Sequence, residues 1–358
     1  MCSVHAAALC VVFSAFGASA LASPSWPQLE AAPPLKSDRD ASRDAAVIVA
    51  IERYEHLPPV DGAQKNAAAW YRYLTDSVGI PRQRISALQD EDAEDYAIRD
   101  ALKSRVAQVP NGGRLWFIFI GHGSPSEVDH KHGRDGLLVA YGARATASGI
   151  AARSIRRSDL LRQLSTTAGE AIAVLDACFS GEDRTGKQIV PGLQPLTVVN
   201  TAAPRSVLLL TAAQAGEFAG PLPGADRPAF SYLLLGALRG WADSNRDGNV
   251  TGEEAISYVG ETLTTALRGT RSQHPTIVGM AKDKPLATAR ERGPKVQAAN
   301  PFARGEEDST GDLSPAELRP SPSSARGKRS VANGTPDRPL PVESDDGDVW
   351  GDRRPLQK

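Results

Sequence analysis

The chain has 358 residues, 41% of them hydrophobic, with 41 Lys and Arg against 42 Asp and Glu for a formal net charge of −1. Its cations are scattered rather than gathered into a stripe, which argues against nucleic acid as a main partner. The length suits one large or two modest domains with a true core, and no apolar run beyond the first residues could span a bilayer.

Residues 1–22, "MCSVHAAALCVVFSAFGASALA", are apolar and end in small residues, with Ala18-Ser19-Ala20 and Ala20-Leu21-Ala22 as candidate cleavage sites. They read as a secretory signal peptide, which predicts an extracytoplasmic address, secreted or periplasmic, and no stable membrane insertion after cleavage. No Lys or Arg precedes the apolar run, so an uncleaved anchor or a misassigned start stays open. Cys2 and Cys10 both fall in this segment, which leaves Cys178 as the single thiol of the mature chain. A disulfide within that chain is then impossible, and a lone thiol in an oxidising compartment must be buried or used.

Residues 23–43 are Pro-rich and polar and read as a linker. From Ala45 strand-like and helix-like segments alternate. "AAVIVAIERY" predicts a buried strand, "GAQKNAAAWYRYLTDSVGI" a helix, "RISALQD" a short strand, "EDYAIRDALKSRVAQV" a helix and "GRLWFIFIGHG" a strong apolar strand. "DGLLVAYG" reads as a small hairpin, "RRSDLLRQLSTTA" as a helix, "AIAVLDAC" and "RSVLLLTAAQ" as two more strands. Two helices then flank an acidic loop, and from residue 293 the chain is rich in Pro, Ser, Gly and mixed charge, the composition of a disordered tail. Fully apolar strands alternating with helices predict an α/β domain over 44–292 with a mostly parallel sheet covered on both faces. Ligands of such sheets sit beyond the carboxyl ends of the strands.

Two of those ends carry reactive residues. His122 follows "LWFIFI" between Gly121 and Gly123, and Cys178 ends "AVLDAC". A histidine in a turn, or a cysteine acting as a small hydrophobe, is ordinary by itself. Together at one sheet edge, imidazole and thiol are the minimum for nucleophilic catalysis, and a turn or helix start at Ser180-Gly181 would add N–H groups favouring a thiolate.

Here the chain resembles the caspase-like cysteine peptidases, the group of caspases, metacaspases and their bacterial relatives. The caspase box Q-A-C-[RQG]-G has its histidine about 50 residues upstream. Here the box reads Asp176-Ala177-Cys178-Phe179-Ser180-Gly181, with His122 56 residues before Cys178, a form similar to the D-x-C-x-S-G box of metacaspases. The resemblance runs from about Ala45 to Gly279 through "WFIFIGHG", "DGLLVAYGA", "VLDACFSG", "LLLTAAQ" and "SQHPTIVG". It implies a caspase-like fold with a six-stranded sheet, protein or peptide substrates, Cys178 as nucleophile, His122 as proton shuttle, and the backbone N–H groups of Gly123 and Cys178 as an oxyanion hole.

Residues two apart on a strand face the same side, so Asp176 should share a pocket with Cys178. A carboxylate there disfavours the thiolate unless a cation compensates it, which predicts Arg or Lys on the acyl side of the cut bond. The resemblance agrees, since metacaspases carry an Asp at this place and cleave after basic residues. Where they add a second pocket acid, this chain has Asn66. An N-cap or turn carboxylate serving the following segment is the alternative role for Asp176.

"DSNRDGNVTGEE" fits the calcium loop D-x-[DN]-x-[DN]-G-x₅-E inside an EF-hand-like helix-loop-helix over 229–268. Asp243, Asn245 and Asp247 would ligate Ca²⁺ through side chains, Asn249 through its carbonyl, Thr251 through hydroxyl or water, and Glu254 bidentately; a metal-free helix connection stays open. No organic cofactor is expected, and nothing in the sequence speaks to oligomeric state. "GEDRTGKQIVPGLQPLTVVNTAAPRS" offers Arg184 and Lys187 for self-cleavage. Two rival readings remain: a zinc site among His122, Asp129, His130, His132 and Asp135, whose spacing fits no metal motif, and a catalytically silent calcium-binding or interaction module.

Overall fold

A computed structural model describes residues 26–126, 135–183, 185–190, 203–214, 216–279 and 281–294. The signal segment, the tail beyond Pro294, Arg184 and the Asp129, His130 and His132 cluster therefore lie outside the described residues.

The chain enters the sheet at β1 (Ala45–Ala50), crosses through α1 (Ala63–Arg72) to β2 (Ile85–Gln89), and returns through α2 (Asp95–Gln108) to β3 (Arg114–Ile120). β4 (Gly123–Pro125), β5 (Gly136–Val139) and β6 (Ser154–Arg156) form a separate antiparallel sheet, with the short α3 (Ala147–Ala152) before β6. α4 (Arg157–Leu164) leads to β7 (Glu170–Asp176), and β8 (Val207–Thr211) follows. Next come α5 (Ala229–Gly236), β9 (Asn249–Thr251), α6 (Gly252–Ala266), β10 (Thr276–Val278) and β11 (Pro285–Thr288).

The main sheet has six strands in the order β10-β8-β7-β3-β1-β2, parallel throughout except for the antiparallel edge strand β10. β1 and β3 are buried at every position, because helices cover both faces and leave no polar side to the pleat. Edge strand β2 instead runs from buried Ile85 through half-exposed and exposed positions. The step from β1 to β2 and the step back from β2 to β3 run in opposite directions, so right-handed crossovers put α1 and α2 on opposite faces. α5 packs with α1, and α4 packs with α2. The fold class read from the sequence is the one observed.

Three expectations change in detail. "DGLLVAYG" is not a hairpin in itself; its strand β5 is the middle of the small sheet, flanked by β4 and β6. α1 runs on as a wider π-helical stretch through Val78, ended by Gly79 at φ 90°. Residues 26–44 hold no helix or strand, yet they are docked rather than loose: Trp26 and Leu29 are buried, Trp26 Nε1–H donates to Pro223 O at 2.9 Å, and Arg239 donates to Pro33 O at 2.8 Å. Two apolar side chains in a Pro-rich stretch suffice to lay it on the domain, where backbone carbonyls freed by proline find arginine donors. Among the described residues, no helix is long and apolar enough to cross a membrane.

Candidate active site

Pairing of β3 with β7 ends at Ile120 opposite Asp176, and Gly121 N–H donates to Asp176 O at 3.2 Å. His122 and Cys178 each stand two residues beyond that pair, so equal register on parallel neighbours brings imidazole and thiol to the same edge. The two segments approach closely enough that a Cβ on Gly123 would lie 2.5 Å from Cys178 O. Only glycine fits there.

His122 is 2% exposed and held from two sides. Its Nε2 lies 2.7 Å from Pro58 O. A carbonyl can only accept, so Nε2 carries the hydrogen and Nδ1 is the basic nitrogen of the neutral ring. The Tyr54 ring stacks obliquely on the imidazole at 4.8 Å, and its hydroxyl accepts His122 N–H at 2.8 Å while donating to Val139 O at 3.1 Å. That hydroxyl sits where a His122-to-Val139 ladder bond would otherwise close, and Val139 N–H still donates to His122 O. His122 N–H therefore points toward β5, and the next N–H along the strand, that of Gly123, points the other way.

Tyr54 and Pro58 were not singled out from the sequence. Parallel pairing of β1 with β3, Ala50 opposite Ile120, carries the chain after β1 alongside His122, a placement set by strand order and not by any local motif.

Cys178 is 4% exposed, with Sγ between Ala219 N at 2.8 Å and Ala219 O at 3.1 Å. The segment after it is a turn, with Gly181 at φ 83°, not a helix. Asp183 closes that turn by accepting from Thr185 N and Oγ1 and from Lys187 N. Burial pushes its carboxyl upward, but these hydrogen bonds prevail and hold it below the ordinary carboxylate value.

Asp176 is fully buried, and its Oδ2 accepts Ser231 N–H at 2.8 Å in the first turn of α5. Asn66 reaches the same turn from α1, its Nδ2 donating to Ser231 Oγ at 2.8 Å and to Pro228 O at 2.9 Å. Asn66 Oδ1 is buried without a hydrogen-bond partner among the described residues. Asp176 thus serves not the turn that follows it, as the capping alternative has it, but the first turn of α5, 55 residues on, where Asn66 is bonded to the same Ser231.

The acidic loop lies away from this edge. Asp243 Oδ2 accepts Gly248 N–H, Asn245 Oδ1 accepts Asp247 N–H, Asp247 Oδ1 accepts Asn249 N–H, and Gly248 has φ 85°. Thr251 and Glu254 form a capping box at the start of α6, and β9 pairs with β11. Asp243 Oδ1 and Glu254 Oε1, from the first and last places of the loop, are buried without hydrogen-bond partners among the described residues. The remaining carboxylate, Asp247, is engaged with Asn245 and Asn249, and among the described residues no three His, Cys, Asp or Glu side chains gather as a metal cluster. Of the zinc candidates His122 and Asp135 are described: His122 Nε2 faces Pro58 O, and the Asp135 carboxylate is bonded to Gly136 N and Ser158 N.

Residues 43–284 match the family model of the caspase domain. No curated protein matches the chain. Solved structures similar to it include a protein from Geobacter sulfurreducens at 13% identity and TM-score 0.49, covering 69% of this chain and 100% of that one. Caspase-1 from Spodoptera frugiperda is 13% identical with TM-score 0.43, covering 69% and 90%. The Drosophila initiator caspase Dronc is 10% identical with TM-score 0.45, covering 70% and 91%. The family model spans most of the folded region, including both strand ends that carry His122 and Cys178, and the chain belongs to the caspase-domain family of peptidases.

Proposed function

We propose that the protein is a cysteine-type endopeptidase working through Cys178 and His122. The observation that carries this reading is their shared register beyond β3 and β7, with His122 Nε2 tied to Pro58 O so that Nδ1 is the basic nitrogen for proton transfer. Nδ1 takes the thiol proton as Sγ bonds to the peptide carbonyl carbon, and the oxyanion is bound by the N–H groups of Gly123 and Cys178. Imidazolium then protonates the leaving amine as the C–N bond breaks, leaving a thioester. Water attacks that thioester with Nδ1 as base, the carboxylic acid departs and the thiol is restored.

The substrate side chain on the acyl side is Arg or Lys in this reading. Asp176 would supply the carboxylate that faces it and Asn66 Oδ1 a second acceptor, both anchored at Ser231. Arg184 and Lys187 then follow as self-cleavage points in the segment after Cys178, where Lys187 is exposed. Ca²⁺ at the 243–254 loop would be a structural partner; the two orphaned carboxylate oxygens of Asp243 and Glu254 support that fit. An extracytoplasmic address follows from residues 1–22.

Peptide-library cleavage by wild type and Cys178→Ala, with and without chelator, tests nucleophile, specificity and metal together. Clear preference for Asp over Arg or Lys would end the basic specificity. The engaged thiol of Cys178 favours one other reading, a silent calcium-binding or interaction module. Identical behaviour of wild type and Cys178→Ala across the library would establish it.

A further inference from the structure

We propose that residues 216–221 form a latch that keeps Cys178 shielded as a neutral thiol, and that opening it is a step separate from the chemistry. The inference rests on reading Cys178 as the reactive thiol, but concerns what controls its access. Ala219 contacts the sulfur with both backbone groups, its carbonyl accepting from Sγ at 3.1 Å and its N–H reaching Sγ at 2.8 Å. A neutral thiol satisfies both contacts, one as donor and one as acceptor. Ionisation would remove the proton that faces Ala219 O and set a thiolate against a carbonyl oxygen in a site 4% exposed. The closed arrangement therefore opposes the form that attacks a carbonyl.

The latch is held from outside the active-site edge by the segment ahead of β10. Buried Gln273 accepts Gly220 N–H through Oε1 at 3.2 Å and donates from Nε2 to Ala212 O at 3.1 Å, tying the latch to the end of β8. Arg271 donates to Pro221 O at 2.6 Å, and its guanidinium lies 5.6 Å from the centre of the Phe218 ring. Glu217 accepts His274 N–H at 2.8 Å and faces the His274 ring at 2.5 Å. Apart from Gln273 these fastenings are half-exposed polar contacts, the kind that open locally at low free-energy cost while a packed core stays closed. Carboxyl-end loops over a rigid sheet are where such motion is expected.

Alkylation of Cys178 by iodoacetamide, followed by peptide mass mapping of the full chain, measures this shielding without requiring peptidase activity. The native thiol is expected to react far more slowly than the same thiol in urea at the same pH. Gln273→Ala removes the tie to Gly220 and Ala212, and Glu217→Ala, at a half-exposed position, removes the tie to His274. Each is expected to speed labelling by about tenfold or more, the shift from losing at least one net hydrogen bond, with the fold retained by circular dichroism. A native rate equal to the urea rate, or folded variants that label no faster than wild type, would overturn the latch. Failure of the peptidase reading would show instead in the cleavage assay, with labelling kinetics unchanged.

Discussion

The Tyr54 hydroxyl stands between backbone groups of two neighbouring strand ends, accepting His122 N–H at 2.8 Å just before β4 and donating to Val139 O at 3.1 Å at the end of β5. It replaces one rung of the β4–β5 ladder and fixes where His122 leaves the sheet. Tyr54→Phe keeps the ring against the imidazole but strands a buried donor and a buried acceptor. The expected cost is about 1–3 kcal/mol of stability, with kcat falling more than KM rises, because the histidine loses its position rather than the substrate its pocket. Urea melts and steady-state kinetics on one peptide check both parts.

Much of this arrangement was legible in the chain. β1, β3, β7 and β8 are apolar runs long enough to announce buried strands, and His122 and Cys178 end two of them. Tyr54 and Pro58 were not legible, since nothing local marks a residue whose partner lies 68 or 64 positions away and is set by strand order. Ala219 gave even less signal, because it acts through its backbone and any side chain conceals that. Residues 26–44 misled by composition: proline and polarity read as linker, while Trp26 and Leu29 settle the matter by burial.

Asp176 serves a helix terminus and, in the proposed reading, a substrate cation, and two substitutions separate these roles. Asp176→Asn retains an oxygen for Ser231 N–H but drops the charge. It is expected to lower kcat/KM for Arg or Lys peptides by about tenfold or more, as for loss of a charged hydrogen bond, with little change in melting temperature. Asp176→Ala removes the acceptor as well and should cost about 1–3 kcal/mol of stability. Undiminished basic preference in the Asn variant would leave Asp176 as a helix cap alone.

Acid should weaken the loop that presents Tyr54. Burial raises the Asp90 carboxyl, but hydrogen bonds from Arg53 and from Glu52 N–H prevail and hold it below the ordinary value. Its Oδ1 accepts Glu52 N–H and Arg53 N–H, and its Oδ2 accepts Arg53 Nε–H and Gln64 Nε2–H. A depressed folded value means the unfolded chain binds the proton first as pH falls. The stabilisation is therefore complete above the unfolded value of about 3.9 and is lost progressively below it. Asp183, shifted the same way, adds to the slope. Urea midpoints measured from neutral pH down to about 3 should fall for wild type, and fall less steeply for Asp90→Asn. Equal slopes would remove Asp90 from the account.

Calcium binding at the 243–254 loop, as proposed, would have a thermodynamic consequence that does not depend on peptidase activity. Asp243 Oδ1 and Glu254 Oε1 are buried without hydrogen-bond partners among the described residues, an arrangement a cation would relieve. Asp247, now bonded to Asn245 and Asn249, would have to turn toward the same point. A ligand that binds only the folded state adds stability as RT ln(1 + [L]/Kd), about 2.7 kcal/mol at a hundredfold excess over Kd. Calcium titration should therefore raise the urea midpoint along that curve and give a saturable heat in calorimetry. Asp243→Ala removes a ligand and the acceptor of Gly248 N–H together, so its metal-free stability should fall slightly and its response to calcium should vanish. Glu254→Gln keeps the acceptor for the Thr251 capping box while losing the charge, and should weaken calcium binding with the smaller effect on metal-free stability. Absence of any saturable response in wild type would leave the loop as a helix connection whose two orphaned oxygens need another partner.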